Sequence, residues 1–174
     1  GKGILDVCFS QRMMRDDLRG PFGDSVAKLV RWEVDPARRS VNVTVIDERA
    51  NEFPRHRGAL AGKEYRYGYC AQPDPNSMHW PTLKHDLVTG TSDVFDHGAG
   101  RAAGEPVFVS RPDATAEDDG WLVTFVHDGN DDSAEFAVLD AQDFSRGYVA
   151  RVKLPQRVPF GFHGNWIPDS RVPG

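Results

Sequence analysis

Ser40-Val41-Asn42-Val43-Thr44-Val45-Ile46 alternates apolar and polar side chains with a period of two, the spacing that an extended strand turns onto opposite faces. Upstream, Val26 to Val34 forms a second such run, and Asp35-Pro36-Ala37-Arg38-Arg39 supplies turn chemistry between them. The pair predicts a hairpin whose Val41, Val43 and Val45 belong to the core, with Asn42 and Thr44 on the other face. The pattern recurs. Leu83 to Leu87 and Thr91 to Phe95 flank Val88-Thr89-Gly90, where Gly90 supplies the positive φ of the turn. Trp121 to Val126 and Ala134 to Leu139 flank His127-Asp128-Gly129-Asn130-Asp131-Asp132. Single strands are expected at Ile4 to Phe9, Tyr65 to Tyr69, Pro106 to Ser110 and Tyr148 to Leu154. Only Gly58 to Gly62 suggests a helical turn, so the chain reads as all-β, built of antiparallel hairpins and meanders.

Between the strands lie surface segments. Met13 to Pro21 is a polar excursion, and Ala71 to Pro81 is a proline-rich loop carrying His79. His85 falls on a strand expected to be half exposed. Asp96 to Gly104 is glycine-rich and holds His97, but no Lys-Ser/Thr pair and no helix follow, so a phosphate-binding reading fails. Glu117-Asp118-Asp119 sits in a solvated loop; calcium is the alternative reading there, because hard cations take such oxygens only from a shaped loop.

The net charge of −5 and pI near 5.6 argue against nucleic acid, which needs a basic face to displace counterions. No apolar run approaches the roughly 20 residues of a membrane span, and the first residues lack the pattern of a signal peptide. Cys8 and Cys70 have no metal-ligand spacing and lie in strand-like sequence; they read as reduced core thiols, which implies a cytoplasmic setting.

One stretch near the C-terminus departs from the strand pattern: Pro159-Phe160-Gly161-Phe162-His163-Gly164-Asn165-Trp166. A histidine between glycines and aromatics, bracketed by Pro159 and Pro168, is a backbone held so that one imidazole points at something. A lone histidine is commonly just a packed or surface residue. Two other stretches raise its interest, Asn51-Glu52-Phe53-Pro54-Arg55 and Gly104-Glu105-Pro106-Val107-Phe108-Val109. Each sets an isolated carboxylate beside proline in apolar sequence, where a charge is costly without a partner. For Glu52 the plain alternative is pairing with Arg55 or Arg57. The chemical alternative is a metal-bound histidine, whose second ring N–H is usually held by a carboxylate.

Taken with Tyr65-Arg66-Tyr67-Gly68-Tyr69 and Lys84-His85-Asp86, these motifs resemble, in order and spacing from about Ile4 to Asp169, the C-terminal part of a carotenoid cleavage oxygenase. That family includes the retinal pigment epithelium isomerase and the lignostilbene dioxygenases. The resemblance implies a partial seven-bladed β-propeller, with residues 1–174 as the C-terminal portion of a single propeller domain whose N-terminal portion is absent. At roughly 40–45 residues per blade, the chain holds at most about four, and its open sheet edges could let it self-associate. By the same resemblance His163 is the last of four histidine ligands to a non-haem Fe(II), and Glu52 and Glu105 are glutamates behind the ligands, serving histidines outside this chain. No residue of the chain is assigned a catalytic role of its own. The implied parent is an Fe(II)-dependent dioxygenase that cleaves a conjugated double bond of a carotenoid, apocarotenoid or stilbene with O2, any membrane contact lying in the missing parts. The alternative is a non-catalytic β-rich fragment or binding module that holds no metal in isolation.

Overall fold

The structure, a computed structural model, describes residues 1–16, 25–74, 76–159 and 161–169; Phe160 of the C-terminal motif and the end of the Met13 to Pro21 excursion lie outside the described residues. Among the described residues twelve strands form three antiparallel sheets. The first holds β1 (Gly3–Phe9), β2 (Lys28–Asp35) and β3 (Ser40–Asp47) in chain order. The second holds β4 (Glu52–Arg55), β5 (Tyr67–Ala71), β6 (Thr82–Asp86) and β7 (Thr91–Phe95), also in order. In the third, β12 (Tyr148–Lys153), β11 (Ser133–Asp140) and β10 (Gly120–Asp128) run side by side, and both β8 (Arg101–Ala103) and β9 (Val107–Ser110) pair with β10. Each predicted hairpin is present, and Gly90 takes φ +70° at its turn. The only helical segments among the described residues are 3-10 turns at Gly58–Leu60 and Phe144–Arg146. The architecture is an incomplete β-propeller.

The sheets stack in sequence order. Leu29 and Ile46 of the first meet Cys70 and Leu83 of the second, and Tyr69 and Phe95 of the second meet Leu122, Leu139 and Ala141 on the third. The middle sheet is therefore covered on both faces, and this corrects the expectation for His85. Its ring is 1% exposed, with Nδ1 2.9 Å from Ser92 Oγ and Nε2 2.9 Å from Asn51 Oδ1 on the side of the first sheet. One residue earlier in the strand, Lys84 points the opposite way and donates to Asp118 and the Ala141 carbonyl. A polar run in a strand covered on two sides carries no information about exposure, because each polar group has found a partner indoors.

The valines of β3 supply the converse correction. Val41, Val43 and Val45 share one face as expected, but they are 55%, 56% and 46% exposed rather than core. Across the sheet Leu5, Trp32 and Val43 lie in register on that face. At the far end of the stack Phe125, Phe136 and Val152 are likewise in register, and Phe125 and Val152 are exposed. The stack thus presents an apolar face at each end, as expected of an arc cut from a ring. Of Tyr65, Tyr67 and Tyr69 only Tyr69 is fully buried; Tyr65 hydrogen-bonds Asp6 and Tyr67 lies under the Lys84 ammonium.

Two features of this core give measurable consequences. A Cβ at Gly120 would collide with the Val109 carbonyl and the Phe108 ring, whereas one at Gly58 meets nothing. Gly120→Ala should lower the melting temperature substantially while Gly58→Ala leaves it nearly unchanged; equal effects would show that β9 does not close on β10 this tightly. His97 is buried with Thr82 Oγ1 2.9 Å from Nε2 and Tyr148 Oη 2.8 Å from Nδ1, and burial pushes its pKa down to about 3. Between that value and the ordinary value near 6.5, the unfolded chain binds a proton the folded chain refuses, so stability is complete above about 6.5 and lost as pH falls below it. Melting temperatures across that range should fall with pH, and His97→Gln should flatten the slope; an unchanged slope would contradict the assignment.

Candidate functional site

Glu105 owes its position to an interrupted strand. β8 pairs with residues 126–128 of β10 and β9 with residues 120–123, both along one edge. Gly104-Glu105-Pro106 spans the gap. Pro106 has no N–H to offer the ladder, while Gly104 donates to the Phe125 carbonyl and accepts from Thr124 Oγ1. The carboxylate is turned out of the ladder but kept 5% exposed. As a carboxylate it can only accept. It takes the Gly164 amide at 2.6 Å, His163 Nδ1 at 3.1 Å and the Arg55 guanidinium at 3.4 Å. The histidine that Glu105 serves is therefore in this chain, not outside it.

That contact decides the tautomer. With Nδ1 donating to Glu105, the Nε2 lone pair of His163 is left free. The ring is otherwise 76% exposed and touches the edge of Phe53, centroids 6.2 Å apart.

Glu52 sits at a second strand irregularity. Glu52 pairs with Ala71 and Arg55 with Tyr69, so β4 carries one residue more than β5 opposite it. The extra length is absorbed at Phe53, which takes φ +54°, and at Pro54. Neither Arg55 nor Arg57 pairs with Glu52. Arg55 turns to Glu105 and to Asn165 Oδ1 at 3.5 Å, and Arg57 donates to the carbonyls of Ala116 and Glu117. Among the described residues the Glu52 carboxylate accepts only from the Phe53 amide at 3.3 Å, and burial pushes its pKa up. It is a carboxyl group short of a donor.

The structure thus brings His163 and Glu105 together and leaves Glu52 alongside, linked to them through Phe53 and Arg55. Asn165 was unassigned in the sequence and Arg55 was weighed only as a partner of Glu52; the available signal was that a buried Glu105 must find a cation, and Arg55 stands in a neighbouring motif. The other five histidines are engaged elsewhere. Besides His85 and His97, His56 packs on Tyr65, His79 Nε2 lies 2.8 Å from Asp96 and His127 Nδ1 lies 3.2 Å from the Ser133 carbonyl. Glu117 caps the amides of Arg66 and Tyr67, Asp118 holds Lys84 and Asp119 holds Arg111, so the acidic loop is spent on structure, not shaped for calcium. Among the described residues no three His, Cys, Asp or Glu side chains converge as a metal site. A metal held here would find one imidazole nitrogen, correctly backed, and would need its remaining ligands from elsewhere.

The family model of the retinal pigment epithelial membrane protein matches residues 2–168. The chain belongs to that family, the carotenoid cleavage oxygenases. It is 40% identical to a carotenoid cleavage oxygenase of Mycobacterium tuberculosis, over 96% of this chain and 34% of that protein. It is 34% identical to the apocarotenoid-15,15'-oxygenase of Synechocystis, over 95% of this chain and 36% of the other. With lignostilbene-alpha,beta-dioxygenase isozyme III of Sphingomonas paucimobilis it shares 31% identity over 90% of its length and 36% of the relative's. The crystal structure of cobalt-substituted Synechocystis ACO superposes with a TM-score of 0.85 at 32% identity, covering 96% of this chain and 37% of that one. The chain therefore spans about a third of the length of the relatives it matches.

Removing the acceptor should free the C-terminal loop. In Glu105→Ala the Gly164 amide should exchange with solvent about 10-fold faster, since a hydrogen bond to a charged acceptor contributes about 1.5–3 kcal/mol. Unchanged exchange, measured by NMR or mass spectrometry, would mean that Glu105 does not hold the loop.

Proposed function

We propose that this chain is the C-terminal portion of a single propeller domain in an Fe(II) dioxygenase that cleaves a conjugated C=C bond of a carotenoid, apocarotenoid or stilbene with O2. The observation carrying this reading is the His163–Glu105 contact, which presents a free Nε2 at a spot where three segments of the chain meet. The names of the relatives support the reaction class and the apolar substrate, and the uncovered apolar sheet faces support a larger ring around the site. A cytoplasmic setting belongs to the same reading, supported by the two free thiols.

Bound Fe(II) would supply the activation of O2 toward the alkene. The chain's own residues do the rest of the work described here. His163 would offer Nε2 as one ligand. Glu105 fixes the ring's tautomer and direction and raises its basicity through the Nδ1 hydrogen bond. Arg55 offsets the buried Glu105 charge and ties Asn165, keeping the loop over β4 and β8. Glu52, short of a donor, is suited to accept the N–H of a second ligand histidine brought by the rest of the protein. One imidazole cannot hold Fe(II) tightly, so the isolated chain should bind no stoichiometric iron and turn nothing over.

In the full-length protein His163→Ala should abolish both bound iron, measured by elemental analysis, and cleavage of an apocarotenoid or stilbene followed by absorbance. Iron retained at the wild-type level would refute the ligand assignment. Glu52→Gln and Glu105→Gln should each weaken iron about 10–100-fold, as losses behind a ligand do. Unchanged affinity in either would remove that glutamate from the site.

A further inference from the structure

Cys8 and Cys70 are 62 positions apart in sequence and lie on different sheets, yet they pack in one apolar cluster with Leu29, Ile46 and Leu83. Both are free thiols, and Cys8 packs against the buried cluster to which Cys70 belongs. Cys8 is on β1 in register with Leu29, and Cys70 on β5 in register with Leu83, so their shared cluster lies at the seam between the first and second sheets. A cleft of about 820 Å³ along that seam reaches Leu29 and Cys70 and is also lined by Asp6 and Tyr65. The oxygenase reading assigns neither thiol a role.

We propose that Cys8 and Cys70 are a reversible oxidation site, closed to an inter-sheet disulfide by a hydroperoxide. The steps balance without a metal. Cys8, the partly exposed partner, attacks the peroxide as thiolate; its S–O bond forms as the O–O bond breaks, and with hydrogen peroxide one water leaves. Cys70 sulfur then displaces the hydroxyl from the Cys8 sulfenic acid, forming S–S and releasing a second water. Two thiols lose two electrons and two protons, and hydrogen peroxide becomes two waters. The order follows from the surroundings. The Cys8 contact and complete burial push the Cys70 thiol well up, which makes it a poor first nucleophile but a resolving thiol already in place. The bridge would tie β1 to β5 and lock the first two sheets together.

The test uses the full-length protein, freed of metal with a chelator so that peroxide acts on thiols alone. After brief treatment with hydrogen peroxide, free thiols are blocked with maleimide in denaturant and the digest is read by mass spectrometry. The expected result is a peptide pair joined through Cys8 and Cys70 that dithiothreitol separates. In Cys70→Ser the same treatment should leave Cys8 as sulfenic acid, trapped by dimedone, and in Cys8→Ser Cys70 should stay maleimide-reactive. Recovery of both cysteines as maleimide adducts would overturn the proposal. So would a disulfide from either one to any other cysteine, within the chain or between molecules.

Discussion

The Glu105 carboxylate is the constraint on which the candidate site depends. A carboxylate that is almost wholly buried is stable only if donors replace the water it has lost, and the three it finds come from residues 55, 163 and 164. Those donors are far from residue 105 in sequence, and two of them lie outside regular structure: residues 161–169 form no strand and are exposed throughout. An exposed segment of that kind has little apolar burial to order it. The charge it satisfies indoors is what aims its histidine.

The two glutamates are delivered by one device used twice. In each case a proline one or two positions after the acid removes a ladder donor, the strand pairing slips or breaks, and the carboxylate leaves the alternation that would otherwise point it into a sheet face. At Glu52 the slip is marked by a non-glycine residue at positive φ, at Glu105 by the gap between β8 and β9. The electrical outcome differs. Glu105 has its cation and its imidazole, whereas Glu52 is left with a single backbone amide and a proton affinity raised by burial. Under the proposed function that shortage is met by the N–H of a second ligand histidine.

The hairpins were legible because period-two alternation and turn residues are local properties. So were the residues of the candidate site, because an isolated carboxylate close to proline in apolar sequence is conspicuous without any coordinates. The errors share one physical origin. Alternation says which residues share a face but not what lies against that face. The β3 valines therefore read as core although nothing among the described residues covers them, and His85 read as half exposed although sheets lie on both sides of it. The partner of Arg55 was missed for a related reason: Glu52, three positions away, looked nearer than Glu105, fifty positions away.

By itself, then, the amino-acid sequence determined the all-β character, the hairpins, the family and the three residues around which a metal site could form. Only the tertiary structure decided that His163 and Glu105 belong to each other, that Glu52 stands short of a donor, and that Cys8 meets Cys70 across a sheet seam. The division follows from range. Backbone periodicity and turn chemistry act over a few residues, whereas the partner of a buried charge or thiol is set by how whole sheets stack, and stacking brings together positions that no local pattern connects.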